Sequence, residues 1–271
     1  VTSPDLDSYL ICATPRSGST LLCGLLESSG VAGHPASYFN RKTLDRYAEQ
    51  WRIARPPDGR IDAVFVGAAR AAGQTANGVF GGRVMAETMP ELISGLAAEP
   101  SERTSADLDL LREQLGRLRL VHLRRDDVVG QAVSWARAEQ THFWHPGEEV
   151  IPGGQQPEYD AELIGGLVAT IERYEADWAR WFAAQGVEPH EVTYEQLAAD
   201  PIGTATGVLD FLDLGLPAGR QLVVGHRRQA DGLNADWVAR FTADRHHPES
   251  AAAHPALRQA QGSVLGRASG S

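Results

Sequence analysis

The stretch Thr14-Pro15-Arg16-Ser17-Gly18-Ser19-Thr20 joins an apolar run to a helix-spaced one. Residues of these types, in this order, bind anions. Small side chains let backbone N–H groups converge on a negative ligand at a helix N-terminus. Gly18 permits close approach, Ser17, Ser19 and Thr20 supply hydroxyl donors, and Arg16 supplies a fixed cation. The triphosphate-binding pattern GxxxxGK[ST] is absent together with its lysine, which disfavours an ordinary nucleoside triphosphatase. A strand-to-helix turn with a serine cap is the plainer alternative. A second cluster repeats the theme. Arg125 ends the run RLVHLRR, and Ser134 follows nine residues on, two and a half turns at ~3.6 residues per turn. A third is Arg227-Arg228 in GHRRQADG, whose plainer reading is a solvated basic turn. Each is modest alone. Together they point to a ligand with more than one phosphate-like group.

The elements that position these groups follow from spacing. Tyr9 to Ala13 (YLICA) reads as a buried strand, and Leu21, Leu22, Leu25 and Leu26 place a helix after the loop, stopping at Gly30. Further helices are expected over Ile61 to Ala72, Leu108 to Leu115, from Asp126-Asp127 onward, Glu162 to Gln185, Thr204 to Leu212 and Ala235 to Phe241. Further strands are expected at Gly78 to Met85, Arg119 to Leu123 and His190 to Tyr194. Asp126 and Asp127 suit the positive end of a helix dipole. The Pro, Gly and Glu-rich segment His142 to Tyr159 reads as a long surface loop. Strands alternating with helices imply an α/β fold with a parallel sheet.

Composition sets the outer bounds. The 271 residues carry a net charge of −10, with 42% hydrophobic and 22% charged residues. This is globular composition with an acidic balance, pI about 5.4, and it argues against nucleic acid as a partner, which needs a basic footprint. Cys12 and Cys23 sit in apolar segments without a Cys/His cluster, so neither a disulfide scaffold nor a cysteine zinc site is expected. No apolar run approaches ~20 residues and no secretion signal opens the sequence; the expectation is a cytoplasmic protein with no membrane partner. Lys42 is the only lysine, which reads as GC-rich coding bias and weakens arginine abundance as evidence.

At this point the residues resemble a known family. PRSGST after the first strand looks like the 5′-phosphosulfate loop of sulfotransferases that use 3′-phosphoadenosine 5′-phosphosulfate (PAPS), and HLRRDDVVGQAVSWARAEQTHFW resembles their 3′-phosphate segment. The bacterial trehalose 2-sulfotransferase type is the nearest, through GVAGHP, TANGVFGGRVM, RRDDVVGQAVSWARAEQT, VEPHEVTYEQL and RRQADGLNADWVARF. The similarity runs from about Tyr9 to Arg245.

The resemblance implies a doubly wound parallel sheet with helices on both faces, in a single domain over 1–245 followed by a tail at 246–271. Arg16, Ser17, Gly18, Ser19 and Thr20 would hold the 5′-phosphosulfate. Arg125 and Ser134 would hold the 3′-phosphate, with Arg227 or Arg228 closing over it and Tyr194 as an adenine-pocket candidate. Where that type has a glutamate thought to be the general base, this sequence has His34, in Gly33-His34-Pro35. Histidine is a competent base at neutral pH, and a changed base makes trehalose less certain as acceptor. Arg83 is a second candidate cation near the sulfuryl group, with an ion pair to Glu87 as the structural alternative. Tyr38, Phe39 and Glu139 join His34 as candidate acceptor neighbours, with His142, His145 and Glu139 as alternative bases. Arginines neutralise the leaving group, so no metal is called for. The implied acceptor is a sugar-containing small molecule, trehalose being the alternative, and the implied assembly a homodimer. A non-catalytic nucleotide-binding module and another P-loop-like phosphoryl-transfer enzyme are the remaining alternatives.

Overall fold

Six consecutive buried residues make the first strand, β1 (Ser8–Ala13). Burial on both faces is what a central parallel strand requires. The computed structural model describes residues 5–54, 59–97, 106–141, 156–225 and 232–246. Three more strands, β2 (Phe80–Met85), β3 (Leu118–Arg124) and β4 (His190–Thr193), complete a sheet of order β2-β1-β3-β4. All pairings are parallel, with Cys12 level with Val84 on one side and His122 on the other, and His122 level with Glu191.

Side chains alternate across this sheet, so each strand feeds two cores. Leu10, Cys12, Phe80, Val84 and Leu120 face one layer. It is supplied by helices α2 (Leu44–Trp51), α3 (Ala63–Gly73), α4 (Met89–Leu96), α5 (Asp107–Leu115) and the long α7 (Ala161–Gln185). Tyr9, Ile11, Ala13, Val121 and Leu123 face the other layer, built by α1 (Ser19–Ser28), α8 (Tyr194–Ala199) and α9 (Pro201–Phe211). Helix α6 (Val128–Thr141) packs along α7, with the Trp135 and Tyr174 rings stacked at 6.4 Å. This is the α/β architecture expected, a parallel sheet flanked by helices on both faces. The chain divides into two compact units, 1–229 and 230–271; the described part of the second is α10 (Gly232–His246). Arg227, Arg228, His142 and His145, and the rest of the segment 142–155, lie outside the described residues.

The sequence expectations map onto these elements closely. Three short helices, α2, α4 and α8, were not foreseen. Asp127 caps α6 by accepting from the Gly130 amide at 2.8 Å, the role its place before a helix implied. Strand order reverses direction about β1, leaving a crevice at the carboxyl ends of β1 and β3, the position where open α/β sheets bind ligands.

Candidate functional site

The loop after β1 opens into that crevice. Arg16 has φ 65° and Gly18 φ 90°, so the chain makes two left-handed turns before α1 begins. Gly18 occupies the N-cap of α1 and offers no side-chain cap, which leaves the first turn of the helix directed at whatever the loop holds. A side chain at Gly18 would meet the Tyr194 ring at 2.7 Å. Tyr194, at the start of α8, therefore lies against the loop backbone. The Ser17 hydroxyl is turned inward and donates to the Thr14 carbonyl at 2.8 Å, so it braces the loop from within.

Four of the distant candidates converge on this loop. Arg125 stacks its guanidinium over Tyr194 at 4.4 Å from the ring centroid and pairs with Asp127 at 3.1 Å. Its Nε is buried with no hydrogen-bond partner among the described residues, an arrangement that costs free energy unless a ligand completes it. Arg16 Nε donates to Ser134 Oγ at 3.0 Å, joining the first anion loop to the second cluster. Arg83 donates to Ser19 Oγ at 3.2 Å, Thr20 Oγ1 at 3.0 Å and Ser37 Oγ at 2.8 Å. Its bonds therefore go to loop hydroxyls and not to Glu87, and they place a cation on the helix start.

His34 belongs to a separate feature. Its turn is tied to the segment before β2: His34 N donates to the Gly73 carbonyl, Gly33 N to Thr75 Oγ1, and Asn77 Nδ2 to the Val31 carbonyl. Gly33 (φ 70°) must be glycine, because a Cβ would lie 2.5 Å from the Gly81 amide nitrogen. Ala36 bridges Gly82, so the turn runs along the outer edge of β2 and reaches Arg83 through Ser37. The His34 imidazole is half exposed, with Nδ1 3.0 Å from Glu27 Oε1. Glu27 is in the last turn of α1, about 12 Å of helix rise from Ser19. The structure thus gives His34 a carboxylate partner that sequence reasoning missed.

The remaining candidates sit elsewhere. Tyr38 and Phe39 are buried, Tyr38 packing on Tyr47, Trp51 and Phe80 with its hydroxyl on the His34 carbonyl. Glu139 accepts from Trp135 Nε1 on the exposed side of α6. A cavity of about 190 Å³ near the end of β1 is lined by Met89, Ile93, Asp107, Asp177, Trp178 and Trp181 among others. Trp178 Nε1 donates to the Ala13 carbonyl, one residue before the loop.

Known proteins are similar to this chain. The sequence model of the Stf0 sulphotransferases matches residues 8–244. Trehalose 2-sulfotransferase of Mycolicibacterium smegmatis (strain ATCC 700084 / mc(2)155) is 30% identical over 256 residues, covering 88% of this chain and 95% of that protein. The trehalose 2-sulfotransferase of Mycobacterium tuberculosis (strain ATCC 35801 / TMC 107 / Erdman) is 32% identical over 260 residues, 87% and 94% of the two chains. Among solved structures, the sulfotransferase domain from the Synechococcus PCC 7002 olefin synthase aligns with 89% of this chain and 98% of its own at 15% identity, TM-score 0.40.

Proposed function

The chain belongs to the Stf0 sulphotransferase family, and on that premise we propose that it moves a sulfuryl group from PAPS to a hydroxyl of a sugar-containing small molecule. It is a sulfotransferase; the donor, the acceptor and the base are our reading. The observation that carries the donor is Arg125, whose buried Nε lacks a partner beside Tyr194 and the Gly18 backbone. Such a group fits a phosphate, which arginine binds by charge-assisted hydrogen bonds.

PAPS, when bound, supplies a sulfuryl group activated by a phosphate leaving oxygen. Arg16, the hydroxyls of Ser19 and Thr20 and the first-turn amides of α1 hold the phosphosulfate and face the charge that grows as sulfur departs. Arg83 fixes those two hydroxyls and adds positive charge. Arg125 and Ser134 hold the 3′-phosphate, and Tyr194 lies on the adenosine side. His34, held at Nδ1 by Glu27, is our candidate for the group that takes the acceptor proton through Nε2. The acceptor lies between the α1 N-terminus and the His34 turn. Trehalose itself is the second reading, favoured by the relatives' activity. The reading includes a homodimer, as the family resemblance implies, which light scattering on the purified protein checks.

The test is ligand-specific stabilisation followed by product detection. Adenosine 3′,5′-bisphosphate should raise Tm where ATP and AMP at equal concentration do not. Mass spectrometry of reactions with PAPS and a panel of sugars, trehalose included, should find one product heavier by a sulfuryl group. Equal stabilisation by AMP would sink the donor assignment.

A further inference from the structure

Beneath the loop lies a buried polar chain that the transfer chemistry does not use. His122, in the middle of β3, is almost fully buried and faces the layer occupied by α7. Its Nε2 lies 3.1 Å from Glu175 Oε2 on α7, and its Nδ1 lies 3.0 Å from Glu191 Oε1 on β4. The second oxygen of Glu175 accepts from Thr14 Oγ1 at 2.9 Å. Thr14 is itself fully buried and is the first residue of the anion loop. Gln131 Nε2, from α6, donates to the same Thr14 hydroxyl at 2.9 Å and to the Pro15 carbonyl at 2.7 Å. An unbroken path therefore runs from Glu191 through His122 and Glu175 to the loop backbone.

We propose that His122 and Glu175 form a buried positioning pair that sets the anion loop through the Thr14 hydroxyl, so that the charge state of the pair governs how well the loop holds its ligand. The inference rests on the loop being the donor site. The geometry permits one consistent assignment of protons. A cationic imidazole has an N–H for each carboxylate, and the second oxygen of Glu175 accepts from Thr14. Thr14 then donates to Glu175 and accepts from Gln131. If the imidazole loses its charge, one of its two carboxylate contacts loses its donor, and the partly buried Glu175 loses the cation it shares with Glu191. The loop is the nearest element able to relax in response.

The groups that face the imidazole are few. Cys12 on β1 is level with it, Glu191 on β4 lies beside it, Glu175 comes from α7, and the Trp178 and Phe182 rings cover it. Arg124 Nε lies 3.6 Å from Glu191 Oε2, an oxygen that is itself 3.1 Å from His122 Nδ1. Burial lowers the pKa of His122, but the hydrogen bonds to Glu175 and Glu191 outweigh burial and hold it at about 9. Burial holds Cys12 as a neutral thiol, so it does not compensate.

Two measurements decide the matter. Affinity for adenosine 3′,5′-bisphosphate is measured by calorimetry from pH 6 to 10 in the wild type, Glu175→Gln and Thr14→Val. The wild type should lose affinity as pH rises through about 9. Thr14→Val keeps the ion pair but disconnects it. It should bind about tenfold more weakly and show no step there, while its Tm keeps the wild-type dependence on pH. A purely structural pair predicts the opposite, an unchanged binding profile in Thr14→Val. Hydrogen exchange at residues 14–20 of the ligand-free enzyme reads the same coupling without nucleotide. Faster loop exchange in both variants supports the clamp, and wild-type exchange in both overturns it. A wild type that ignores the bisphosphate but shows the loop effect would refute the donor reading and leave the clamp standing.

Discussion

Arg125 and His34 represent two kinds of candidate residue. Arg125 carries its own evidence, because a buried guanidinium nitrogen without a partner asks for a ligand. Removing it should weaken adenosine 3′,5′-bisphosphate binding about 10- to 100-fold, the worth of one or two charge-assisted hydrogen bonds, with kcat for saturating donor nearly kept. Calorimetry on Arg125→Ala checks this, and wild-type affinity would strip the residue of its role. His34 makes the contrary prediction. His34→Ala should cut kcat by about 10²–10⁴ and leave bisphosphate affinity intact. Glu27→Gln should lower kcat less, since it changes only the partner at Nδ1. The cationic and hydroxyl-bearing residues of the loop could be singled out from the sequence because their types declare anion chemistry. Glu27, Gln131, Glu175 and His122 could not. Each is an ordinary polar residue in an element, and only folding brings Glu175 to Thr14, 161 positions away. The one faint signal was a histidine within the apolar run RLVHL.

At the scale of elements, the site is a strand end, a tight turn and a helix start, backed by two helices that reach in from later in the chain. The first three strands and the long helices were legible because their apolar pattern is strong over six to twenty-five residues. Helices α2, α4 and α8 escaped as elements of eight residues or fewer, about two turns each, and α8 is held by its Thr193 and Gln196 capping box. The close contact of α8 with the loop yields a prediction. Gly18→Ala forces a Cβ to 2.7 Å from the Tyr194 ring on a left-handed backbone. The ring must move, and it carries Arg125 with it. We expect lower Tm and weaker bisphosphate binding together, measured by thermal unfolding and calorimetry. Tyr194→Ala in the same background should restore part of the Tm but none of the binding. Full retention of binding in Gly18→Ala would mean that Tyr194 and Arg125 do not report on the donor site.

The whole molecule responds to pH at two ends of the sheet. At the amino end, side-chain and backbone hydrogen bonds from Arg117 hold the Asp7 carboxyl at about 2. A depressed carboxyl stabilises the fold above its ordinary value near 3.8 and loses that contribution as pH falls toward 2. At the carboxyl end, His122 has a raised pKa. Its contribution is complete below 6.5 and is lost as pH rises through about 9. Tm should therefore fall on both sides of a plateau between these ranges. Asp7→Asn should flatten the acid limb and His122→Gln the alkaline one; a curve that keeps both limbs in both variants would place the titrating groups elsewhere. One further consequence follows from the backbone at Arg16, an L-residue bent against its own chirality at φ 65°. The polypeptide would relax if glycine stood there, since the handedness penalty of about 1–2 kcal/mol roughly offsets glycine's added freedom when unfolded. An Arg16→Gly protein should melt no earlier than its parent and yet be blind to nucleotide. Durability and grip make opposing demands on that single position, and a variant that forfeits both at once would show the guanidinium to be scaffold instead of tool.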